Sequence, residues 1–545
     1  MLGRTVVITM QWFIILFYLL LGNCIAGTFK GGHLHWEDVR GGHHQWEMVS
    51  LFNLAGSETK VAKYRSRLTG LTIDLAKTET PIVHGDFCLA TRAEDDDGLP
   101  HVLEHLIFQG SEDYPYQEAL DLLATRCLGK RTNARTSTDH TCYTLSTAGT
   151  SGFLEILPIY LDHILFPLLR AEDFLTEVHH VNGVGEDAGV VYSEMQGNNY
   201  ATSVLRETKK LLYPGNSGYY ALHGGALENI RTSTTIQKVR DYHKKFYRSE
   251  NLVLTITGSI DHQQIIKSLA SMEEKIWRKI FLNQTGFKRP WKKQLQPITT
   301  ASNHVFKFPS DDMTKGEVII GFRLPNHVTD DISILEAHSL LMKYLTSSKV
   351  SPLKSSFVET EDPFCSNVGY HLYRYTQPAY LLAFSNVPTN RTGEVIPRLR
   401  EVIAQIINNG ASEFDLSRIR SYIDSGMVEN QKMNENNVHY FFHKSTIYDQ
   451  LYSTQEKHFQ QFVADGQWSS AHRGHNASYW LDLLYNIFNK YDSVVVEGKP
   501  SITMSQEYNE REKKRIEQQR AELRPEGLNK KKKGTFDSRC KQSSS

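Results

Sequence analysis

Two short stretches decide how this chain is built: Leu252-Val253-Leu254-Thr255-Ile256-Thr257-Gly258 and Asp492-Ser493-Val494-Val495-Val496-Glu497-Gly498. Each is a run rich in β-branched and apolar residues that stops on glycine, the pattern of a buried strand closed by a breaker. Working outward, their surroundings match at an offset of roughly 240 residues. Residues 87–91 and 318–323 read as strands that open the two copies. The amphipathic runs 153–165 and 394–407 follow, then two helix starts, Ala171-Glu172-Asp173-Phe174-Leu175 and Ser412-Glu413-Phe414-Asp415-Leu416. Identity between the copies is low, so they share a plan rather than form a tandem array. The expectation is two related α+β domains, 45–285 and 300–500, joined by a polar linker at 287–300.

Composition narrows the function classes. The 545 residues carry 61 Lys+Arg against 61 Asp+Glu, which leaves no net basic footprint for nucleic acid. With 22% charged residues and 17 prolines, bulk disorder and fibrous repeats are excluded. Six cysteines without a C-x-x-C pair make neither a disulfide scaffold nor a zinc ribbon. Residues 6–26 are almost unbroken apolar behind Arg4, so 1–26 reads as a signal peptide or a signal anchor. Sequons at Asn283, Asn390 and Asn476 agree with a secretory route, whereas an odd set of cysteines after cleavage disagrees. The compartment stays open between secretory pathway and cytosol, with the mitochondrion third. Gly31-Gly32-His33-Leu34-His35-Trp36-Glu37 and Gly41-Gly42-His43-His44-Gln45-Trp46-Glu47 read as a duplicated surface segment. At the other end, 505–545 divides into a solvated helix of paired charges, 505–523, and a disordered tail around 530–533.

The chemistry concentrates in His101-Val102-Leu103-Glu104-His105. Pro100 in the first turn and Asp95-Asp96-Asp97 ahead of it favour a helix start. Residues four apart share a helix face, so His101 and His105 can reach one zinc ion with Glu104 beside them. Zinc lowers the pKa of a bound water, and a carboxylate within reach can take the proton as that water attacks a peptide carbonyl. The pattern needs a third ligand. Glu194, in Val190-Val191-Tyr192-Ser193-Glu194-Met195-Gln196-Gly197, is the best candidate. Asp187, two helical turns earlier, is placed to hold a liganding imidazole in its tautomer. His179-His180 is a rival pair, less suited because adjacent helical residues diverge by about 100°.

These residues resemble a known family. His101-x-x-Glu104-His105 with Gly110-Ser111, and the block around Glu194, are similar to the inverted-zincin M16 peptidases of the pitrilysin/insulysin type, closest to the presequence-protease-like branch. Thr132-Asn133-Ala134, Asp139-His140-Thr141-Cys142-Tyr143, Gly224-Gly225 and Tyr242-His243 fit the same pattern, which spans roughly residues 46–528. The resemblance implies domains of mostly antiparallel sheet with helices packed on one face, together half of a clamshell peptidase. It implies His101, His105 and Glu194 as ligands of one Zn2+, Glu104 as general base, and Asp187 as an acidic residue behind the ligands. Asn133 and Ala134 fall on an edge strand that pairs with substrate main chain, which supplies affinity without sequence demand. Arg135 departs from the aromatic residue usual there. The second domain, with only His338 on its counterpart helix, resembles the family's non-catalytic repeat. The implied activity is zinc-dependent endopeptidase action on peptides or unfolded segments. The alternative is a catalytically silent binding or assembly subunit, because the family's second half, with its substrate-holding Arg and Tyr, is not in this sequence. The implied partners are peptide substrates and a second M16-like half, with membrane contact only through the N-terminal segment.

Overall fold

In the computed structural model both glycine-ended runs are strands at equivalent places in two sheets. Residues 45–544 are described apart from 55–56, 198–202, 216–217, 280–286, 293–294, 299–302, 326–330, 453–458, 461–462 and 464–467. The apolar N-terminal segment, the first histidine-rich stretch, most of the second and the Asn283 sequon lie outside the described residues. Among those described, no helix is long and apolar enough to cross a membrane.

The first sheet is built from β1 (Trp46–Asn53), β2 (Lys60–Ser66), β3 (Thr72–Lys77), β4 (Ile82–Ala90), β5 (Asn133–Thr136), β6 (His140–Ala148) and β9 (Leu252–Gly258). A two-stranded hairpin, β7 (His180–Val181) and β8 (Asp187–Ala188), stands apart from it. The second sheet comprises β10 (Asn303–Pro309), β11 (Lys315–Arg323), β12 (Asn367–Tyr373), β13 (Ala379–Pro388) and β14 (Asp492–Ser501). Strand orders are β1-β2-β3-β9-β4-β6-β5 and β10-β14-β11-β13-β12. Five strands therefore repeat one plan. β3 runs parallel to β9 as β10 does to β14, and the remaining pairs of the plan are antiparallel. The fold is α+β with two mostly antiparallel sheets.

Strand alternation sends successive side chains to opposite faces, and each face has its own cover. In the first sheet Gly85 and Phe87 face helix Thr150–Leu165. Phe87 stacks on Tyr160, and a Cβ on Gly85 would lie 2.8 Å from the Phe153 ring. Asp86 and Cys88 face the other way, toward helix Val438–Tyr452 from the second copy, where Asp86 meets His439 and His443. Gln450 of that helix donates to the Cys88 carbonyl, and Thr446 shares a 2.7 Å hydroxyl contact with Thr255. The second sheet mirrors this. Val318, Ile320 and Phe322 join a core with Leu341, Phe357 and Trp480 from their own copy. Ile319, Leu381, Val494 and Val496 instead meet Val204 and Leu212 of helix Val204–Leu212, which belongs to the first copy. Each sheet thus carries its own helices on one face and one borrowed helix on the other, a reciprocal exchange that joins the copies through apolar burial.

Two expectations change. Cys88 and Cys142 sit opposite each other in the β4–β6 register and are disulfide-bonded, so the cysteines are not all unpaired; Cys127 and Cys365 are free. The end of the chain, expected to be a solvated helix followed by disorder, is helical over Ile502–Ser544, with a break at Arg524 (φ 52) before Pro525. Its Glu, Lys, Arg and Gln content favours helix, and charge placed on one side anchors it. Arg520 pairs with Glu186, and Gln519 donates to the Gly185 carbonyl, tying the helix to the turn of the β7–β8 hairpin.

Candidate metal centre

Helix Leu99–Ile107 begins where the backbone must take a left-handed conformation. Gly98, its N-cap, has φ 70, and a Cβ there would lie 2.6 Å from the Gly225 backbone. Glycine permits that approach, so the helix start lies against the 222–226 turn, held by Ala226 N–H to the Asp96 carbonyl at 2.8 Å. Val102, Leu103, Leu106 and Ile107 are fully buried and fix the helix's rotation. The i,i+4 spacing then brings His101 and His105 to one face, ring centroids 4.8 Å apart and nearly perpendicular. Glu194 reaches the same point from helix Val190–Gln196, directly after the hairpin.

Three ligand-type atoms converge there. His101 Nε2 is 3.7 Å and His105 Nε2 3.4 Å from Glu194 Oε2, and one nitrogen of each imidazole and a Glu194 oxygen all lie within 4.8 Å of one another. Bonds of about 2.0–2.1 Å in a tetrahedral site put ligand atoms roughly 3.3 Å apart, so the donor set fits zinc. The two imidazoles stand in different electrostatic surroundings. Burial, reinforced by the neighbouring His105 and His223, pushes His101 down to about 3, leaving a neutral imidazole. Burial also opposes charge on His105, but the hydrogen bond and charge of Glu177, with Glu104 and Glu194, outweigh it and raise its pKa. His105 Nδ1 donates to Glu177 Oε1 at 2.8 Å, which turns Nε2 toward the Glu194 carboxylate.

Glu104 is 9% exposed, and burial raises its pKa against the counteracting hydrogen bond from Thr136. That hydroxyl, donated to Glu104 Oε2, belongs to the last residue of β5. Asn133 and Ala134 lie on the same strand, at the open edge of the seven-stranded sheet, paired inward with Thr144 and Tyr143. All of this opens on a cavity of about 1140 Å³ lined by His101, Glu104, Ala134, Lys209, Tyr508 and Arg515 among others. Two of those six come from helix Ile502–Ser544.

Asp187 is placed differently from expectation. Its Oδ1 meets His179 Nε2 at 2.8 Å and its Oδ2 accepts from Arg515 at 2.7 Å, so neither His101 nor His105 rests on it. The reason is local: β8 ends the hairpin with Asp187 facing His179 and the C-terminal helix, while Glu177, at the end of helix Ala171–Glu177, stands beside His105. Burial would raise the Asp187 pKa, but these two partners hold it at about 2. His179 and His180, the rival ligands, are occupied by Asp187 and the Leu175 carbonyl. Glu177, Thr136 and Arg515 carry no spacing signal that singles them out. A second group of ligand-type residues, Cys88, Cys142 and His443, is buried between β4, β6 and the borrowed helix, with its two sulfurs joined.

Comparison with known proteins points to one family. Residues 89–198 match the profile of the insulinase family, peptidase family M16, and residues 233–423 match that of the peptidase M16 inactive domain. An uncharacterized protein of Caenorhabditis elegans is 35% identical over 472 residues, covering 86% of this chain and 47% of that protein. The mitochondrial presequence protease of Gibberella zeae is 27% identical over 352 residues, 60% of this chain and 33% of its own. The chain spans about half the length of these curated relatives or less. Among solved structures, the first half of the Escherichia coli periplasmic protease PqqL superposes with a TM-score of 0.59 at 14% identity, covering 89% of this chain and 98% of that one.

Proposed function

This chain belongs to the M16 peptidase family, resembling one half of its longer members, and on that premise we propose that it is the catalytic half of a zinc-dependent endopeptidase. The observation that carries the reading is the convergence of His101, His105 and Glu194 beside a buried Glu104 that is tied to an open sheet edge. His101 Nε2, His105 Nε2 and a Glu194 oxygen would hold the ion. The chemistry such an ion supplies is Lewis-acidic: it acidifies a water molecule and polarises a carbonyl oxygen.

The remaining work falls to side chains and backbone of this chain. The β5 edge offers main-chain N–H and C=O groups to an extended peptide, which aligns it without reading its sequence. Glu104, its proton affinity raised by burial, takes a proton from the attacking water at a carboxylate oxygen and returns it to the nitrogen of the departing amine. Thr136 holds the other face of this exchange by keeping Glu104 Oε2 in one position. Glu177 keeps His105 in the tautomer with Nε2 unprotonated.

A second reading, a silent binding or assembly subunit, is favoured by one observation: residues 233–423 match the peptidase M16 inactive domain. Purified chain loaded with zinc and given unstructured fluorogenic peptides decides between them. Cleavage abolished by Glu104→Gln, with metal content retained, supports the hydrolase; turnover unchanged in that variant overturns it. Metal-loaded chain that cleaves only after addition of a complementary half assigns it to an assembled enzyme.

A further inference from the structure

The cations lining the cavity differ in what neutralises them. Arg206 pairs with Asp96, Arg231 with Glu512, and Arg515 with Asp187. Arg135 and Arg511 are exposed to solvent. Lys209, on helix Val204–Leu212, is half-buried and has none of these supports. Its ammonium lies 4.2 Å from the centre of the Tyr373 ring and donates to the Tyr375 hydroxyl at 3.1 Å. Among the described residues no carboxylate pairs with it. Asp139, the acid that acts on it through space, is itself engaged by His140 and the Tyr452 hydroxyl. Burial without a paired carboxylate pulls the Lys209 pKa down to about 8. An ammonium has three N–H donors, and the tyrosine uses one. A part-buried charge left this way is costly unless an anion completes it.

The position of Lys209 relative to the edge strand says where that anion would come from. Thr136 contacts Glu104, so a peptide paired with β5 has its cleaved bond near that residue. Two residues further along the chain, Thr138 accepts the hydrogen bond of Tyr375, the same hydroxyl to which Lys209 donates. Thr138 lies in the turn that joins β5 to β6, and Glu104, Thr136, Thr138 and Lys209 all line the same cavity. Lys209 therefore stands beside the Thr136 end of β5, in the cavity that a peptide paired with this strand would enter, close to the bond held at Glu104.

We propose that Lys209 is a specificity-determining residue, selecting peptides that carry an aspartate or glutamate side chain one or two positions from the cleaved bond. The proposal rests on the hydrolase reading for the identity of the ligand, and its test separates the two. Peptide pairs differing only in Glu against Gln at each of the two positions on either side of the cleaved bond are given to the zinc-loaded chain. At one of these positions kcat/KM should favour Glu by about ten- to hundredfold, the range of a hydrogen bond to a charged partner. Lys209→Met should bring that ratio near one, Lys209→Arg should keep most of it, and Lys209→Glu should favour Lys at the same position. A wild-type ratio near one at all four positions, or a ratio that survives Lys209→Met, overturns the proposal. So does a preference that tracks a free against an amidated peptide C-terminus. The same peptides are titrated against the Glu104→Gln chain by fluorescence anisotropy. Acid-selective binding lost in Lys209→Met, with no turnover by the wild type, sinks the hydrolase and keeps Lys209. Turnover without acid selectivity sinks Lys209 and keeps the hydrolase, while neither turnover nor binding sinks both.

Discussion

The two copies share a five-strand plan, strand for strand, yet among the described residues only the first brings together His101, His105 and Glu194. Between β4 and β5 the first copy sends out helix Leu99–Ile107, which bears Glu104 and brings His101 and His105 to Glu194. Between β11 and β12 the second sends out helix Ile332–Thr346, whose His338 is fully buried, accepts Tyr491 as a ring neighbour and is hydrogen-bonded to the Ile334 carbonyl. The same excursion therefore serves a site in one copy and a hydrophobic core in the other. Topology places the helix, but three side-chain identities decide whether chemistry follows. The copies are alike in another respect: each lends a helix to the other's sheet, which makes one unit of two repeats.

The sharpest way to break the contrast is to remove the proposed general base of the first copy without touching the proposed metal ligands. Glu104→Gln should lower kcat for peptide hydrolysis by about a thousandfold or more, within the range general-base removal produces. Zinc content measured by mass spectrometry should stay at the wild-type level. A variant that keeps its turnover would place the reaction elsewhere and end the contrast.

The likeness between the copies is tested by truncating the exchanged helices. Leu212 and Leu451 are both buried in the shared apolar cluster, at 0% and 1% exposure. Leu212→Ala and Leu451→Ala should each cost about 2–5 kcal/mol. Both should lower the same single unfolding transition in urea, because each helix belongs to one copy and covers the other. Two separated transitions in either variant would show that the copies melt independently and that the exchange does not couple them.

Much of this was legible before the coordinates. The glycine-ended runs at 252–258 and 492–498 revealed the repeat because buried strands leave a local apolar signature, although β14 continues past Gly498 to Ser501. The pairing of His101 with His105 followed from helical spacing, and Asn133 and Ala134 came from family resemblance. What stayed hidden was set by tertiary placement. Glu177 stands 72 residues from His105 and Arg515 stands 328 from Asp187, and no periodicity links such positions. The Cys88–Cys142 bond was missed for a similar reason: counting cysteines says nothing about two of them facing across β4 and β6. The helix exchange requires knowing which face of each strand is left uncovered by its own copy.

Glu177 gives a test of intermediate size that again sets one copy against the other. Glu177→Gln removes the charge that orients His105 and raises its basicity, and should weaken zinc affinity by about ten- to a hundredfold in competition with a chelator. His338→Gln, in the corresponding helix of the second copy, should lower the melting temperature and leave zinc affinity unchanged. Equal zinc loss in both variants would mean that the second copy supports the site.

The smallest effect concerns Arg515, whose helix reaches the first copy's hairpin. Its hydrogen bond and that of His179 hold Asp187 at about 2, below an unfolded value near 4. A depressed carboxylate contributes stability that is fully present above the unfolded pKa and is lost as pH falls through the folded one. Arg515→Met leaves His179 in place, so the Asp187 pKa should rise only part of the way back. The variant should therefore be less stable than wild type by about 1 kcal/mol at pH 7, with the difference shrinking as pH falls from 4 towards 2. Urea unfolding at pH 7 and pH 3 measures it. A difference that does not change with pH would mean that Arg515 acts through the packing of its methylene stem, and that the ion pair with Asp187 contributes nothing to holding the C-terminal helix against the site.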